Sequence, residues 1–235
     1  MLKTRRQLLF ILFMSSVLIN GTAQTTFNTI INGDLYTSGK SIVNGIAWTN
    51  SVAYQGNRFC GSSNWKDGSV LFNGILYSGL KINYDVLEDE LILYDETSGA
   101  EKYIQLNKDL IEQFSYADES NTKTFVYKEI DSSKGKEIYE EVYKGEISFY
   151  IKHKKSVKKE IGTLYMGKLY DDNTFYLYDA QQTRSFKNKK KILQILGYSK
   201  ELKTFIRKEN LIIHKNYPND IVRLLVYHQS LTKAN

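Results

Sequence analysis

Cys60 and the three histidines have the clearest potential for nucleophilic or metal chemistry in this sequence. A cysteine nucleophile reacts as the thiolate and needs a histidine base close to it in the fold. His214 lies far enough downstream to be that base. The chain has only 1 Cys, which excludes a disulfide framework within it and a cysteine-based zinc site. Because His153, His214 and His228 have no second histidine at helical spacing, we expect no metal site and no cofactor.

The surroundings of Cys60 superficially resemble the nucleophile region of papain-like proteases. The segment reads Gln55-Gly56, then Cys60-Gly61-Ser62 and Trp65. That family has a second cysteine directly before the aromatic residue, where this chain has Ser63-Asn64, and no apolar helix follows. We therefore interpret Cys60 as an ordinary small, partly buried residue and predict no catalytic residue.

Two acidic clusters could supply the carboxyl pair of a glycoside hydrolase. They are Glu88-Asp89-Glu90 and Asp171-Asp172. Both lie at predicted hairpin turns, where acidic residues are common for structural reasons. Asp171-Asp172-Asn173 also lacks the glycine and the terminal glutamate of a typical calcium loop. A hydrolase that uses a carboxylate pair elsewhere is the alternative to the non-enzymatic protein that we expect.

Two basic clusters are the candidate sites for an anion or a partner. The first lies at a predicted hairpin end and the second at the start of the first predicted helix. The candidate residues are Lys152, Lys154 and Lys155 in the first cluster, and Arg184, Lys187, Lys189, Lys190 and Lys191 in the second. Lysine opposes the helix dipole in a first turn, so a bound anion would explain the second cluster. Solvated lysines that protect a sheet edge are the alternative.

Residues 1–23 have the pattern of a secretory signal peptide. Three basic residues precede an uncharged apolar run from 8 to 19, and Gly21 and Ala23 are the small residues before a cleavage site at Gln24. The run is shorter than the roughly 20 residues of a membrane-spanning helix. We expect export to the periplasm or the outer membrane, with no transmembrane segment after signal removal. Loss of the signal lowers the net charge from +6 to +3, so we expect no nucleic acid partner.

The rest of the chain predicts strands followed by helices. Residues 24–64 are rich in Asn, Gly, Ser and Thr and predict an irregular arm with one or two short strands. From residue 65 onward, short runs of alternating polarity recur about every ten residues, as at Leu80, Ile82 and Tyr84. Asn73-Gly74 is the preferred dipeptide of a two-residue hairpin. Such closely spaced strands must pair antiparallel.

Helical periodicity replaces this alternation near Lys187. Gly197 is a natural helix stop, Ser199 can cap a second helix, and Asp220 lies in the first turn of a third. The sequence therefore predicts an α+β fold: a mainly antiparallel sheet of hairpins or a meander, rolled or forming an open barrel, followed by two or three short C-terminal helices. The predicted division is a signal peptide at 1–23, an arm at 24–64 and a single β-rich domain at 65–235.

Three parts of residues 65–227 share a pattern with known sequences. They are Trp65-Lys66-Asp67-Gly68-Ser69-Val70 with Gly74, Tyr77, Gly79, Leu80, Tyr84 and Leu91, then Tyr143 to Ile147, and the closing helices from Lys189 to Tyr227. With these motifs, residues 65–227 resemble a family of uncharacterised exported proteins of Gram-negative bacteria. The resemblance implies export and a strand-then-helix order. It implies no activity, cofactor or catalytic residue.

We expect a non-enzymatic binding or accessory module of the cell envelope. Its partner would be an envelope protein or an anionic lipid or glycan surface. A hydrolase is the first alternative. The second is a structural subunit of a larger envelope complex that uses the 24–64 arm to pair with another chain.

Overall fold

The computed structural model describes residues 28–31, 42–96, 100–118, 121–160, 162, 164–179, 182–214 and 216–233. These residues form an α+β fold, as predicted, in which a mostly antiparallel sheet is followed by three helices. The predicted signal peptide and the predicted turn at 97–99 lie outside the described residues. The strands are β1 Asn28–Ile31, β2 Ile46–Ala47, β3 Lys66–Phe72, β4 Ile75–Asp85, β5 Glu90–Asp95, β6 Lys102–Gln105, β7 Ile111–Asp118, β8 Asn121–Glu129, β9 Lys136–Tyr143, β10 Ser148–Lys152, β11 Lys155–Lys158, β12 Lys168–Asp171, β13 Thr174–Tyr178 and β14 Thr183–Phe186. The helices are α1 Lys189–Ile195, α2 Lys200–Lys208 and α3 Pro218–Lys233.

The main sheet has the strand order β14-β13-β10-β9-β8-β7-β3-β4-β5-β6-β2. β1 pairs in parallel with the first residues of β4, and β11 and β12 form a separate two-stranded sheet. Among the described strands, β14 and β2 do not pair with each other, so the sheet is open. Asn73 and Gly74 join β3 to β4 with φ angles of 50° and 75°, the left-handed pair that the Asn-Gly signal predicts.

One part of this sheet rolls around its own core. β6 and β7 are four strand positions apart, yet residues 106–110 alone connect them, and the Leu110 carbonyl accepts a 2.8 Å hydrogen bond from the Asn73 N–H. Strands from both sides of this connection contribute to a single buried cluster. Its members include Leu91, Ile104, Phe114, Phe125 and Ile138. We call β3 to β8, together with residues 42–60, the rolled half.

A buried ion pair shows how far the sheet curls. Lys152 at the end of β10 lies five strand positions from β4, which is about 24 Å in a flat sheet. Its Nζ nevertheless lies 2.6 Å from Asp89 Oδ1 in the β4–β5 turn, and Lys152 is only 2% exposed. Asp89 also accepts hydrogen bonds from Tyr84 and Lys108. The curled sheet therefore brings β10 onto the β4–β5 turn.

Helices cover the same face of the remaining strands. Ile138 and Val142 of β9 are four residues apart and therefore share one face of the sheet. Ile138 packs in the core of the rolled half, whereas Val142 packs against a second cluster built from β10, β13, β14 and the three helices. Glu140 lies between them on β9. We call β9, β10, β13 and β14 with α1 to α3 the helix-covered half.

The helix boundaries follow their predicted signals. The Ser199 side chain accepts a hydrogen bond from the Leu202 N–H and caps α2, and Asp220 lies in the first turn of α3. Gly197 follows α1 with a φ of 85°. No helix of the described residues combines the length and the apolarity needed to cross a bilayer.

Other predictions were incomplete or wrong. The sequence analysis missed β9, β11 and β14, because charged residues within them interrupt the alternation of apolar and polar side chains that predicts a strand. The Asp171-Asp172-Asn173 turn does not join a hairpin, since β12 pairs with β11 and β13 pairs with β10 and β14. The arm includes β1, which pairs with β4 of the same chain, and β2, which pairs with β6, whereas the pairing of the arm with another chain stays a prediction.

Candidate functional site

Exposed basic side chains cover the α1–α2 region. We call this set the basic face, and it comprises Lys187, Lys189, Lys190, Lys191, Lys200, Lys203, Arg207 and Lys208. Glu201 is the only acidic residue within 187–208. None of the eight forms an ion pair with a carboxylate in the described part of the chain. Four of the predicted site residues therefore lie on a surface whose positive charge is not neutralised locally.

A groove of about 540 Å³ runs through the basic face between α1 and α2. Lys189, Lys203 and Arg207 line it, and Leu193 and Leu211 are among its apolar lining residues. Tyr198 is half exposed at its edge, with the Lys203 Nζ 3.9 Å from the centre of its ring. The groove thus presents cationic groups beside an apolar and aromatic surface.

The other predicted site residues lie elsewhere and are paired with acids. Lys152 is buried against Asp89, so it does not contribute to an exposed cationic surface. Lys155 lies 2.6 Å from Asp171, and Lys154 lies 3.8 Å from Glu137. Arg184 pairs with Asp179. The two predicted basic clusters therefore do not form one cationic site. The positive charges of the first cluster are largely neutralised by the acidic residues that pair with them.

The β11–β12 hairpin carries an exposed apolar end. Leu164 is fully exposed, and Tyr165 and Met166 are largely exposed beside it. Lys158 and Lys159 lie on the strand side of this end. This end of the hairpin therefore presents an apolar surface to solvent beside two lysines.

The acidic clusters do not converge on a cleft. Asp89 is held by two lysines in the rolled half, whereas Asp171 pairs with Lys155 in the small sheet. The pKa of Glu90 is raised by partial burial and by the nearby charge of Asp85, and its carboxylate accepts a 2.6 Å hydrogen bond from Gln105 Nε2. These ion pairs and hydrogen bonds are contacts that stabilise the fold.

A cluster that sequence reasoning missed lies between the two halves. His153 directly follows β10, and its Nε2 lies 2.5 Å from Glu140 Oε2. Burial alone would raise the pKa of the Cys60 thiol, but the positive charge of His153 lowers it below its ordinary value. Only the roll of the sheet brings these residues together, so no local spacing in the sequence could have indicated them.

The remaining histidines have separate environments. His214 lies exposed between α2 and α3, where its Nδ1 accepts a 3.3 Å hydrogen bond from the Asn216 N–H. His228 lies in α3, and burial lowers its pKa. Within the described ranges, no group of three or more His, Cys, Asp or Glu side chains has the arrangement of a metal site.

Comparison with protein-family models, with curated proteins and with solved structures finds no match to this chain. The resemblance of residues 65–227 to exported proteins therefore stays a prediction.

Proposed function

We propose that this chain is an exported envelope protein whose basic face binds an anionic lipid surface. The observation that carries the proposal is the concentration of eight exposed basic residues, with a single acid among them, on α1, on α2 and directly before α1. The signal-like pattern of residues 1–23 supports export. After loss of those residues the chain has a net charge of only +3, so its positive potential is local.

The chemistry of the basic face suits phosphate headgroups. Clusters of four to eight Lys and Arg on an amphipathic helix bind anionic lipids, at about 1 kcal/mol for each residue near the surface. The α2 helix buries Leu202 and Ile206 against the protein, so its lysines and Arg207 face outward. The half-exposed Tyr198 supplies an aromatic ring of the kind enriched at headgroup depth.

The apolar end of the β11–β12 hairpin supports the choice of a lipid over a soluble glycan. A solvated polysaccharide gains little from an exposed leucine, whereas a bilayer interface buries it at about 25 cal/mol per Å². Leu164 and Met166 carry the largest exposed fractions of the apolar side chains at this end.

The direct test is co-sedimentation of the purified protein with lipid vesicles. We expect binding to vesicles that contain phosphatidylglycerol and weak binding to pure phosphatidylcholine, with affinity that falls as salt rises. Reversal of three charges, by Lys189→Glu, Lys190→Glu and Lys191→Glu, should weaken binding by at least about 100-fold.

The matched control reverses three exposed lysines of the strands and of the β9–β10 turn, with Lys102→Glu, Lys136→Glu and Lys144→Glu. This control changes the net charge by the same amount as the helix variant. A larger loss of vesicle binding in the helix variant would therefore show that the position of the charges matters and not only their number. Equal losses in the two variants would contradict the basic face. Binding to an acidic polysaccharide without binding to anionic vesicles would replace the lipid with a glycan.

The cellular counterpart is fractionation of the native host. The unchanged protein should sediment with envelope membranes, and the triple variant at 189–191 should move to the soluble fraction. Unchanged fractionation of that variant counts against the basic face.

A further inference from the structure

We propose that a polar cleft in the helix-covered half binds a sugar that is neutral or carries an amine. The cleft has a volume of about 520 Å³ and lies between the β8–β9 turn and the last two strands of the sheet. It opens on the face of the sheet that points away from the three helices. This site is separate from the basic face and does not depend on lipid binding.

Strands β13 and β14 form the floor of the cleft. Tyr176 and Tyr178 of β13 line it, and they alternate with two apolar residues that pack in the cluster with the helices. Those apolar residues are Phe175 and Leu177. Because successive side chains of a strand point to opposite faces, the two tyrosines face away from the helices. Tyr176 pairs with Ser185 of β14, so a phenol and a hydroxyl group lie side by side on the floor.

The β8–β9 turn forms the wall of the cleft and is fixed to the floor. Its residues in the cleft are 129–132. The Thr183 hydroxyl of β14 donates a 2.5 Å hydrogen bond to the Ile130 carbonyl. The Lys134 Nζ lies 3.1 Å from Asp131 Oδ2 and donates a 3.0 Å hydrogen bond to the Tyr176 hydroxyl. These two connections hold the wall against the floor, so the cleft is formed by the fold itself.

Several polar groups that line the cleft have no partner within the described part of the chain. They form neither a hydrogen bond nor an ion pair through their side chains. They are the Glu129 carboxylate and the hydroxyl groups of Ser132, Tyr178 and Ser185. A hydroxyl group both donates and accepts, whereas a carboxylate accepts only. A ligand that carries many hydroxyl groups can pair with all four.

The charges of the cleft disfavour an anionic ligand. Among the described residues that line it there are three carboxylates and no Lys, Arg or His. Asp131 pairs with Lys134. Asp179 pairs with Arg184. Because Glu129 has no such partner, one carboxylate is left without a counter-charge, and the cleft repels an anion but accepts a neutral or amine-bearing molecule.

The carboxylates are held by separate turns and do not converge on a metal ion. Asp131 accepts hydrogen bonds from the N–H and the hydroxyl of Ser133. Asp179 accepts a 2.9 Å hydrogen bond from the Gln182 N–H. Within the described ranges, these acids do not belong to any group with the arrangement of a metal site. Their remaining lone pairs are acceptors for the hydroxyl groups of a ligand.

A sugar matches both the size and the chemistry of the cleft. Its volume falls within the roughly 300–1,000 Å³ of small-molecule sites. A pyranose ring has C–H groups on its faces, which pack on aromatic rings, and hydroxyl groups around its edge. The Tyr178 ring is held in place by the Lys128 Nζ, 4.4 Å from its centre, and by the edge of Tyr150. A hydrocarbon ligand would instead leave the polar lining groups desolvated and unpaired.

Isothermal titration calorimetry with three sugar hexamers tests the cleft. The probes are the neutral hexamer of N-acetylglucosamine, the hexamer of glucosamine, which carries amines, and the anionic hexamer of galacturonic acid. We expect saturable binding of the first two at one site per chain and no binding of the third. The glucosamine hexamer should bind more tightly, because Glu129 has no counter-charge. Amide shifts in NMR spectra should concentrate at 129–132, 176–179 and 182–185.

A substitution that fills the cleft tests its location. Ser185 is exposed on β14, and Ser185→Tyr places a ring on the floor. Tyrosine is favoured in strands, so we expect the variant to fold and to lose binding of both hexamers. Ser156→Tyr is the matched control, because Ser156 is exposed on β11 outside the cleft. It should bind both hexamers as the unchanged protein does.

Removal of the unpaired charge tests the preference for an amine. Glu129→Gln should weaken binding of the glucosamine hexamer by about 5-fold and that of the N-acetylglucosamine hexamer by less. Glu146→Gln removes an exposed carboxylate of the β9–β10 turn and is the matched control. Circular dichroism of each variant separates loss of binding from loss of folding. The triple variant at 189–191 should bind both hexamers normally, which separates this site from lipid binding.

Four results would overturn the proposal. Neither the neutral nor the amine-bearing hexamer binds at about 10 mM. A folded Ser185→Tyr variant binds as tightly as Ser156→Tyr. The galacturonic acid hexamer binds as tightly as the other two. A heptalysine peptide binds more tightly than either sugar, which would assign the cleft to a basic peptide.

Discussion

The rolled half and the helix-covered half bury the same face of one sheet by different means. The rolled half curls its own strands around the core, so polar groups such as Cys60, Tyr116 and Lys152 become enclosed with it. The helix-covered half adds separate helices, whose polar sides stay in solvent and form the basic face. Enclosed polar groups and an exposed charged surface thus arise in this chain from two different ways of covering one sheet.

Removal of Lys152 should produce the largest effect, and it acts on the rolled half. Lys152→Met leaves Asp89 without the more buried of its two cationic partners, and loss of one member of a buried ion pair costs about 3–5 kcal/mol. Urea unfolding followed by fluorescence measures this cost, because Trp48 and Trp65 both lie on the side of the rolled half. Lys128→Met is the control, since Lys128 packs 4.4 Å from the Tyr178 ring on a partly exposed surface. Equal destabilisation by both variants would mean that the ion pair does not hold the roll.

The same ion pair predicts a dependence on acid. Burial would raise the pKa of Asp89, but Lys152 and Lys108 lower it below its ordinary value. A lowered carboxyl pKa gives stability that is present above the unfolded pKa of about 3.9 and is lost as pH falls through the folded pKa. The unchanged protein should therefore lose more stability than Asp89→Asn between neutral pH and about pH 3. Parallel losses would contradict the role of this carboxylate.

A cavity in the helix-covered half tests whether the two halves unfold together. Leu224 of α3 is fully buried, and Leu224→Ala should cost about 2–5 kcal/mol. Because β8 and β9 pair along five residues and join the halves, we expect fluorescence and helical circular dichroism to show the same shifted transition. A shift in circular dichroism with unmoved fluorescence would show that the halves are independent units.

Two local substitutions should produce the smallest effects. Ser199→Ala removes the cap of α2, and Gly74→Ala places a side chain at a φ of 75° with open space around it. Each should cost about 1 kcal/mol through local conformation alone. If the halves unfold together, both probes should report each change equally, although the substitutions lie in different halves.

Local signals in the sequence were sufficient to predict the β3–β4 turn and the cap of α2. The signals at Asn73-Gly74 and at Ser199 each span four residues or fewer. The structure has the predicted turn at the first position and the predicted helix cap at the second. The alternation of Leu80, Ile82 and Tyr84 likewise predicted the inner face of β4. In β9, Lys136, Glu137 and Glu140 interrupt the alternation, so that strand was missed.

The candidate sites show where local sequence signals are not sufficient. Lys189 to Lys191 could be placed on the surface, because a helix start and its buried positions are local properties. Lys152 belongs to the same kind of lysine-rich stretch, but its partner Asp89 is 63 residues away. Cys60 and His153 are still farther apart in the sequence. Only the curvature of the sheet joins them, and no spacing rule encodes curvature.

The β11–β12 hairpin belongs to a segment that is inserted into the main sheet between β10 and β13. Lys152 and Thr174 are direct partners on β10 and β13, so residues 153–173 leave and re-enter the main sheet at one point. The segment is an insertion in an otherwise continuous meander, and a two-residue turn could bridge its ends. Its removal would leave every neighbour relation among the strands of the main sheet in place, yet would take away His153 and the apolar tip together. A single deletion would thus remove the imidazole beside Glu140 and the exposed apolar surface at once.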